Sequence, residues 1–323
     1  MNKAVRMSAF ILAISLALAQ GQEKSPVVKL DPALDEIVPV GAKLEKLAED
    51  FVYLEGRPSL EGPVWDRKGG YLLFSYMAGH TISKWAPDGE ISVFLHLDDP
   101  AKTPDPAIRL SNGTTLDAQG RLVYCAQTDR AIIRVEKDGK RTVLTDQYEG
   151  KKLNSPNDLV YKSNGTLYFT AGGRPPEGSA SNVYLLKDGK VQGVATPVSG
   201  ANGIAISPDE KILYVNDIAK KIVWRFDIQP DDTFRNGRPF IDMNSDTAMG
   251  GPDGMKVDKK GNIYDSGPGG LWILSPEGKH LGTILTPNRI SNLAFGDADG
   301  KALYLTLHDA LYRIRLNVEG VRP

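Results

Sequence analysis

The chain repeats one pattern six times, and this repetition restricts the fold more than any other feature. Each copy starts with an oxygen-bearing side chain, continues into a small or apolar strand, has Asp, Ser or Lys five positions later, and turns into an apolar strand containing an aromatic residue. The starting residues are Glu61, Asn112, Asn157, Asn202, Asp253 and Asn292. Their separations are 51, 45, 45, 51 and 39 residues, which is the period of a propeller blade.

The remainder of each unit predicts two further strands. Alternating runs such as 81–95 and 131–145 are split by Pro-Asp-Gly or Lys-Asp-Gly, which are typical hairpin turns. Strong helix patterns are absent, and 33 glycines with 21 prolines suit a turn-rich chain. We therefore predict an all-β fold, a six-bladed β-propeller of four-stranded antiparallel blades. Residues 43–53 are expected to pair with 309–318 and close the ring, so that no blade edge is left unpaired. The propeller domain then covers 43–323.

The amino terminus has the layout of a secretory signal peptide. A basic start at Lys3 and Arg6 precedes an apolar run over 9–18 and Ala-Leu-Ala at 17–19. This run is too short to span a bilayer as an anchor. We predict a signal peptide at 1–19, a linker at 20–42, a periplasmic or secreted location, and no membrane association after cleavage. The single cysteine, Cys125, excludes an intrachain disulfide.

Composition limits the partners. The formal net charge is −1, and Lys and Arg form no cluster, so nucleic acid is not an expected partner. No protein partner can be read from the sequence. A small molecule is the expected ligand.

The repeated polar residues predict a ring at one mouth of the channel. In a propeller the first strand of each blade lines the central channel and all six run the same way. Asn-Gly and Asp-Gly also form turns, which is an alternative for Asn112, but Glu61 is not a turn residue. Converging carboxylate and amide oxygens suit a hard cation. We predict a divalent metal site, with Ca²⁺ as the first candidate and Mg²⁺, Mn²⁺ or Zn²⁺ as alternatives.

Several motifs in this order resemble the gluconolactonase/regucalcin family of six-bladed propellers, which is similar to the diisopropyl-fluorophosphatase type of phosphotriesterase. The resemblance spans about 43–316 and is carried by EGPVW (61–65), LNSPNDLVYKSNGTLYFT (153–170), ANGIAISPD (201–209), PDGM (252–255), GPGG (267–270) and SNLAFG (291–296). It implies a metal held by Glu61, Asn202 and Asp253, with Asn157 as a further ligand or a substrate contact. Asp158 is then expected to support the turn.

The chemistry that fits these residues is metal-assisted hydrolysis of a cyclic ester. Asp253 is the leading candidate for the general base, with Glu61 as the second. Asn112, Asn157 and His308 are candidate substrate contacts, although His308 is equally compatible with a structural role. The chain departs from many lactonases of this group at Ala171 and at 125–127, so the substrate preference is open.

Three functions are compatible with the sequence. The first is a periplasmic or secreted metal-dependent lactonase acting on a sugar lactone or a related sugar-derived ester. The second is a non-catalytic binding module stabilised by calcium. The third is a phosphotriester hydrolase that uses the same site.

Overall fold

Six β-sheets surround a central channel in the computed structural model, which describes residues 25–52, 58–97, 110–171, 183–194 and 196–321. The predicted six-bladed propeller of four-stranded antiparallel blades is confirmed. The predicted signal peptide, 1–19, lies outside the described residues. No helix within these ranges has the length and apolar character needed to cross a bilayer.

Two strands and a 3-10 helix precede the first blade. These are β1 (Val27–Lys29), the 3-10 helix (Pro32–Glu36) and β2 (Glu45–Ala48). Strand β1 pairs with the outer strand of the fifth blade. The segment predicted as a linker, 20–42, thus contains a strand and a helical turn in its described part, and Leu34, Ile37 and Val38 are buried against the last two blades.

The first three blades are antiparallel meanders, with a small hairpin before the third. The first blade contains β3 (Leu60–Asp66), β4 (Tyr71–Tyr76), β5 (Thr81–Trp85) and β6 (Ile91–His96). The second contains β7 (Ser111–Leu116), β8 (Leu122–Ala126), β9 (Ala131–Val135) and β10 (Arg141–Thr145). The hairpin is β11 (Gln147–Tyr148) with β12 (Lys151–Lys152). The third contains β13 (Leu159–Tyr161), β14 (Leu167–Thr170), β15 (Val183–Lys187) and β16 (Lys190–Val194).

The last three blades complete the ring. The fourth contains β17 (Ala201–Ile206), β18 (Ile212–Asp217), β19 (Ile222–Ile228) and β20 (Phe234–Asp242). The fifth contains β21 (Met255–Val257), β22 (Ile263–Gly267), β23 (Gly270–Leu274) and β24 (His280–Leu285). The sixth contains β25 (Ile290–Gly296), β26 (Ala302–Leu307) and β27 (Leu311–Arg315), to which β2 adds its fourth strand.

The pairing of β2 with β27 closes the propeller as predicted. Glu45 lies opposite Arg313 and Lys46 opposite Tyr312 in antiparallel register. The first strands contact one another in the cyclic order β3, β7, β13, β17, β21 and β25, and β25 returns to β3. These six strands therefore line the channel.

Apolar side chains fill each of the six spaces between neighbouring blades, because each sheet must bury both faces. One cluster occupies each interface. Between the sixth and first blades, the rings of Trp65 and Tyr304 stack with centroids 5.3 Å apart. The aromatic residue expected in the second strand of each unit is a fully buried tyrosine in five blades, at 124, 168, 214, 264 and 304.

In the second and fifth blades, the residue five positions after the ring residue organises the turn at the far end of the first strand. The Asp117 carboxylate accepts hydrogen bonds from the main-chain N–H groups of Gln119 and Arg121 at 3.0 and 2.9 Å. Asp258 caps the equivalent turn of the fifth blade and also accepts from the Tyr264 hydroxyl at 3.0 Å. These acids therefore stabilise turns at the mouth opposite the ring residues.

A buried carboxylate joins the third and fourth blades. Asp232, fully buried, accepts from the ammonium groups of Lys162 and Lys187 at 2.5 and 2.6 Å. It also accepts from the side chains of Asn164 and Thr166, each at 2.9 Å. Burial alone would raise the pKa of Asp232. The hydrogen bonds from these charged and polar donors lower it by more, so the pKa of Asp232 lies below its usual value.

We expect Asp232→Asn to reduce the free energy of unfolding by about 2–3 kcal/mol at pH 7. Because the folded pKa of Asp232 is depressed, its contribution is complete above the unfolded pKa of about 4 and is lost as the pH falls. Urea unfolding of both proteins at pH 7 and pH 3 measures this difference. The neighbouring exposed Asp231→Asn is the control and should change stability little. An equal difference at both pH values would contradict the ionic role of Asp232.

Candidate active site

A β-bulge interrupts the first strand at the repeated polar position. In the first blade the pairing register shifts between Glu61 and Val64, so two residues of β3 face one residue of β4. The second and fourth blades shift at the corresponding places, between Ser111 and Thr114 and between Ala201 and Ile204. A bulge bends its strand and re-aims a side chain. The bulge contains Asn112 in the second blade and Asn202 in the fourth, and in the first blade it directly follows Glu61.

Glycine follows four of the polar residues because neighbouring first strands nearly touch there. A Cβ on Gly203 would lie 2.0 Å from the carbonyl oxygen of Asp253. A Cβ on Gly113 would lie 2.7 Å from the carbonyl oxygen of Asn157. Any side chain would push the blades apart. Asn112 and Gly113 lie inside β7, so the turn interpretation of this Asn-Gly pair is wrong.

Glu61 is the ring residue of the first blade. Its side chain is buried and accepts a hydrogen bond from the N–H of Gly62 at 3.1 Å and another from the Asn292 side chain. Burial, followed by the charges of Asp253 and Asp158, raises the pKa of Glu61 well above its usual range. Both of these acids come from blades that are not adjacent to the first, so the ring side chains converge across the channel mouth.

Asp253 is the ring residue of the fifth blade and is partly exposed. The Asn202 side chain donates a hydrogen bond to its carboxylate. Desolvation of its carboxyl at the channel mouth, followed by the charges of Asp158 and Asp265, raises the pKa of Asp253 well above the usual value, while the exposed Arg289 acts in the opposite direction. Asp253 and Asn202 are therefore direct neighbours in the ring.

Asn112 and Asn157 each present a buried amide oxygen with no hydrogen-bond partner. Their main chains are fixed, since the carbonyl oxygen of Asn112 accepts from the Ser75 hydroxyl at 2.7 Å and that of Asn157 accepts from the Gly113 N–H at 2.7 Å. A buried acceptor without a donor is costly, so each amide is suited to a cation or a substrate hydroxyl.

Asn292, the ring residue of the sixth blade, differs from Asn112 and Asn157 because its side chain is hydrogen-bonded to other protein groups. Its amide group donates to Glu61 and, at 3.4 Å, to the Asp158 carboxylate. Its side-chain oxygen accepts from the Leu293 N–H at 2.8 Å. Asn292 therefore holds two carboxylates in place. Asp158 does accept from the adjacent Leu159 N–H at 2.9 Å, in keeping with the local role expected for it, but it also reaches across the channel.

Sequence reasoning missed a second group of polar residues behind the ring. The Asn216 amide donates to the carbonyl oxygen of Asp253 and, at 3.1 Å, to the carboxylate of Asp265. Asp265 is fully buried, its other oxygen has no partner, and burial raises its pKa well above the usual value. Both lie in second strands, β18 and β22, where a polar residue in an otherwise apolar run was the available signal.

His308 lies one residue beyond β26, at the same end of the sixth blade as the ring. Its main-chain oxygen accepts from the Ser59 N–H at 2.9 Å, and its side chain is partly exposed. Burial and the nearby Arg289 lower the pKa of His308. Its contact with substrate remains a prediction.

A cavity of about 610 Å³ occupies the other half of the channel. It is lined by the far ends of the first strands, including Trp65, Leu116, Tyr161, Ile206 and Phe295, and none of the predicted site residues lines it. The cavity and the ring are thus at opposite ends of the channel.

The oxygen groups of the ring fit a hard cation. Within the ranges that the structure describes, no three His, Cys, Asp or Glu side chains lie together in a way that could hold a metal ion. A cation at the ring would therefore be bound by the carboxylates of Glu61 and Asp253 together with amide oxygens. Calcium accepts such a mixed set.

Comparison with known proteins agrees with this architecture. Residues 60–309 match the model of the SMP-30/Gluconolactonase/LRE-like region. A gluconolactonase of Zymomonas mobilis is 33% identical over 93% of this chain and 88% of its own. A solved gluconolactonase from Xanthomonas campestris has a TM-score of 0.77 with 30% identity, covering 91% of this chain and 96% of its own. A calcium-binding regucalcin from Agrobacterium tumefaciens has a TM-score of 0.70 with 19% identity, covering 87% and 97%, and this likeness shows the fold.

We expect calcium affinity at the ring to rise with pH, with protons released on binding. Because the pKa values of Glu61 and Asp253 are raised, these carboxyls keep protons at a pH where exposed acids are ionised, and a cation must displace them. Calorimetric titration with CaCl2 at pH 5 to 8, in buffers of low and high ionisation enthalpy, measures both effects. Glu61→Gln should release fewer protons. Affinity independent of pH, without proton release, would contradict this assignment.

Proposed function

Because the chain belongs to the SMP-30/gluconolactonase/LRE-like family, we propose that it hydrolyses the ring ester of a sugar lactone, with gluconolactone as the first candidate. The observation that carries the proposal is the convergence of the first strands, which brings Glu61 and Asp253 to the same mouth of the channel as the unpartnered amide oxygens of Asn112 and Asn157. The gluconolactonase of Zymomonas mobilis supports the same reaction class.

The proposed metal ligands are Glu61, Asn157, Asn202 and Asp253. Ca²⁺ is the first candidate because all four offer oxygen, and Mg²⁺, Mn²⁺ or Zn²⁺ are alternatives. When bound, such a cation supplies Lewis-acid polarisation of the lactone carbonyl and stabilises the negative charge that develops on its oxygen.

Asp253 is the proposed general base. Its carboxylate takes a proton from the water that attacks the carbonyl carbon, and the proton passes to the ring oxygen as the C–O bond breaks, giving the hydroxy acid. The hydrogen bond from Asn202 orients this carboxylate. Glu61 is more completely enclosed, which makes it the second candidate for the base.

The substrate is proposed to contact Asn112, Asn157 and His308. The buried oxygens of the two asparagines can accept hydrogen bonds from the hydroxyl groups of a sugar lactone, which satisfies acceptors that otherwise have no donor. His308, near the same mouth, is the proposed third contact.

We expect Asp253→Asn and Glu61→Gln each to lower kcat/KM for glucono-1,5-lactone roughly 100-fold or more, because each removes a carboxylate that binds the cation or accepts the proton. Hydrolysis is followed by acid release in weak buffer with added CaCl2, and circular dichroism verifies the fold. Asp138→Asn, in the exposed Lys-Asp-Gly turn of the second blade, is the matched control and should retain activity.

The same assay separates the alternatives. Unchanged turnover in both variants would overturn the mechanism. A folded parent protein that binds calcium but hydrolyses no lactone would favour the non-catalytic module, and hydrolysis of a phosphotriester but not of lactones would favour the third function.

Export to the periplasm or medium is also proposed, supported by the basic start, apolar run and small residues over 1–19. We expect the exported protein to begin at about residue 20, because the signal peptide is removed during translocation. Intact-mass measurement of the periplasmic and secreted fractions tests this. Recovery of a protein that still begins at Met1 would contradict it.

A further inference from the structure

A lysine side chain occupies the middle of the channel beneath the ring. Lys256 belongs to β21, the first strand of the fifth blade, and its stem lines the far cavity. Its ammonium group donates to the carbonyl oxygen of Met255 at 2.9 Å and to the side-chain oxygen of Asn292 at 3.4 Å. The Asp158 carboxylate lies 3.9 Å from the same nitrogen.

These contacts cross the channel between blades that lie opposite each other. Asp158 comes from the third blade and Asn292 from the sixth, and their side chains meet at 3.4 Å. Lys256 joins them from the fifth blade. They lie between the ring at one mouth and the cavity of about 610 Å³ at the other.

The oxygens around the ammonium are of the kind that a hard cation takes. They comprise one carboxylate, one amide oxygen and one main-chain carbonyl, from three blades. The surroundings are acidic, since Asp158 and Asp265 are both buried nearby. Burial raises the pKa of each of these acids, and the charge of Lys256 lowers it. The positive charge of Lys256 therefore faces buried acids of the third and fifth blades.

We propose that Lys256 is the built-in cation of this channel: its ammonium fills an oxygen-lined position that a metal ion would occupy if the side chain were shortened. This position lies beneath the ring and is distinct from the predicted metal ligands. The inference does not depend on whether the ring itself binds a metal or hydrolyses lactones.

The test compares Lys256→Ala, which vacates the position, with Lys256→Met, which removes the charge but keeps the stem in place. Bound calcium per chain is counted by elemental analysis after chelator treatment, incubation with 5 mM CaCl2 and gel filtration. Lys256→Ala should hold one calcium ion more than the parent protein, and Lys256→Met should hold none beyond the parent number. Counting the difference keeps the result separate from any ion at the ring.

Thermal unfolding gives the second readout. Without calcium, both variants should unfold roughly 5–10 °C below the parent, because the buried carboxyl of Asp158 loses its positively charged neighbour. Added calcium should restore most of the lost unfolding temperature in Lys256→Ala. In Lys256→Met it should raise the unfolding temperature by no more than it does in the parent protein. If Lys256→Ala does not fold in chelator, the variant is refolded from urea with 5 mM CaCl2. Failure to regain the folded state with calcium would overturn the proposal. Equal calcium counts in Lys256→Ala and the parent would also overturn it.

Discussion

The close approach of the six first strands is the constraint on which the rest of the molecule depends. At Gly203 and Gly113 the neighbouring main chain lies where a Cβ would otherwise stand, so the blades can converge only with glycine there. The bulges at these positions turn the preceding polar residues away from normal strand alternation. Convergence of the backbone thus places oxygen-bearing side chains from different blades within reach of one another.

Convergence creates an excess of negative charge. Glu61, Asp158, Asp253 and Asp265 are enclosed near one another, and the pKa of each is raised, chiefly by burial. Such a cluster holds protons or takes a cation, because several ionised carboxylates in a poorly solvated space repel one another. Lys256 supplies one positive charge below the ring, and a divalent ion at the open mouth remains the proposal.

The two ends of each first strand serve different purposes. At the far mouth, Asp117 and Asp258 accept hydrogen bonds from the turns that follow them, which stabilises the blade. At the ring mouth, Asn112 and Asn157 retain oxygens without donors, which costs stability and leaves a place for a ligand. In the second blade, Asp117, which stabilises a turn, thus lies five residues after Asn112, whose amide oxygen is free to bind a ligand.

The sequence alone determined the number of blades, the presence of a closing strand within 43–53 and the positions of the repeated polar residues, because these depend on period, alternation and turn residues that each copy carries. It did not reveal that Asn292 donates to two acids, that Asp158 reaches the opposite blade, or that Lys256 fills the channel. The residue pairs involved are 134 and 36 positions apart in the chain. Only the closed ring brings them together, since their separation depends on the radius and twist of six packed sheets and not on any local pattern.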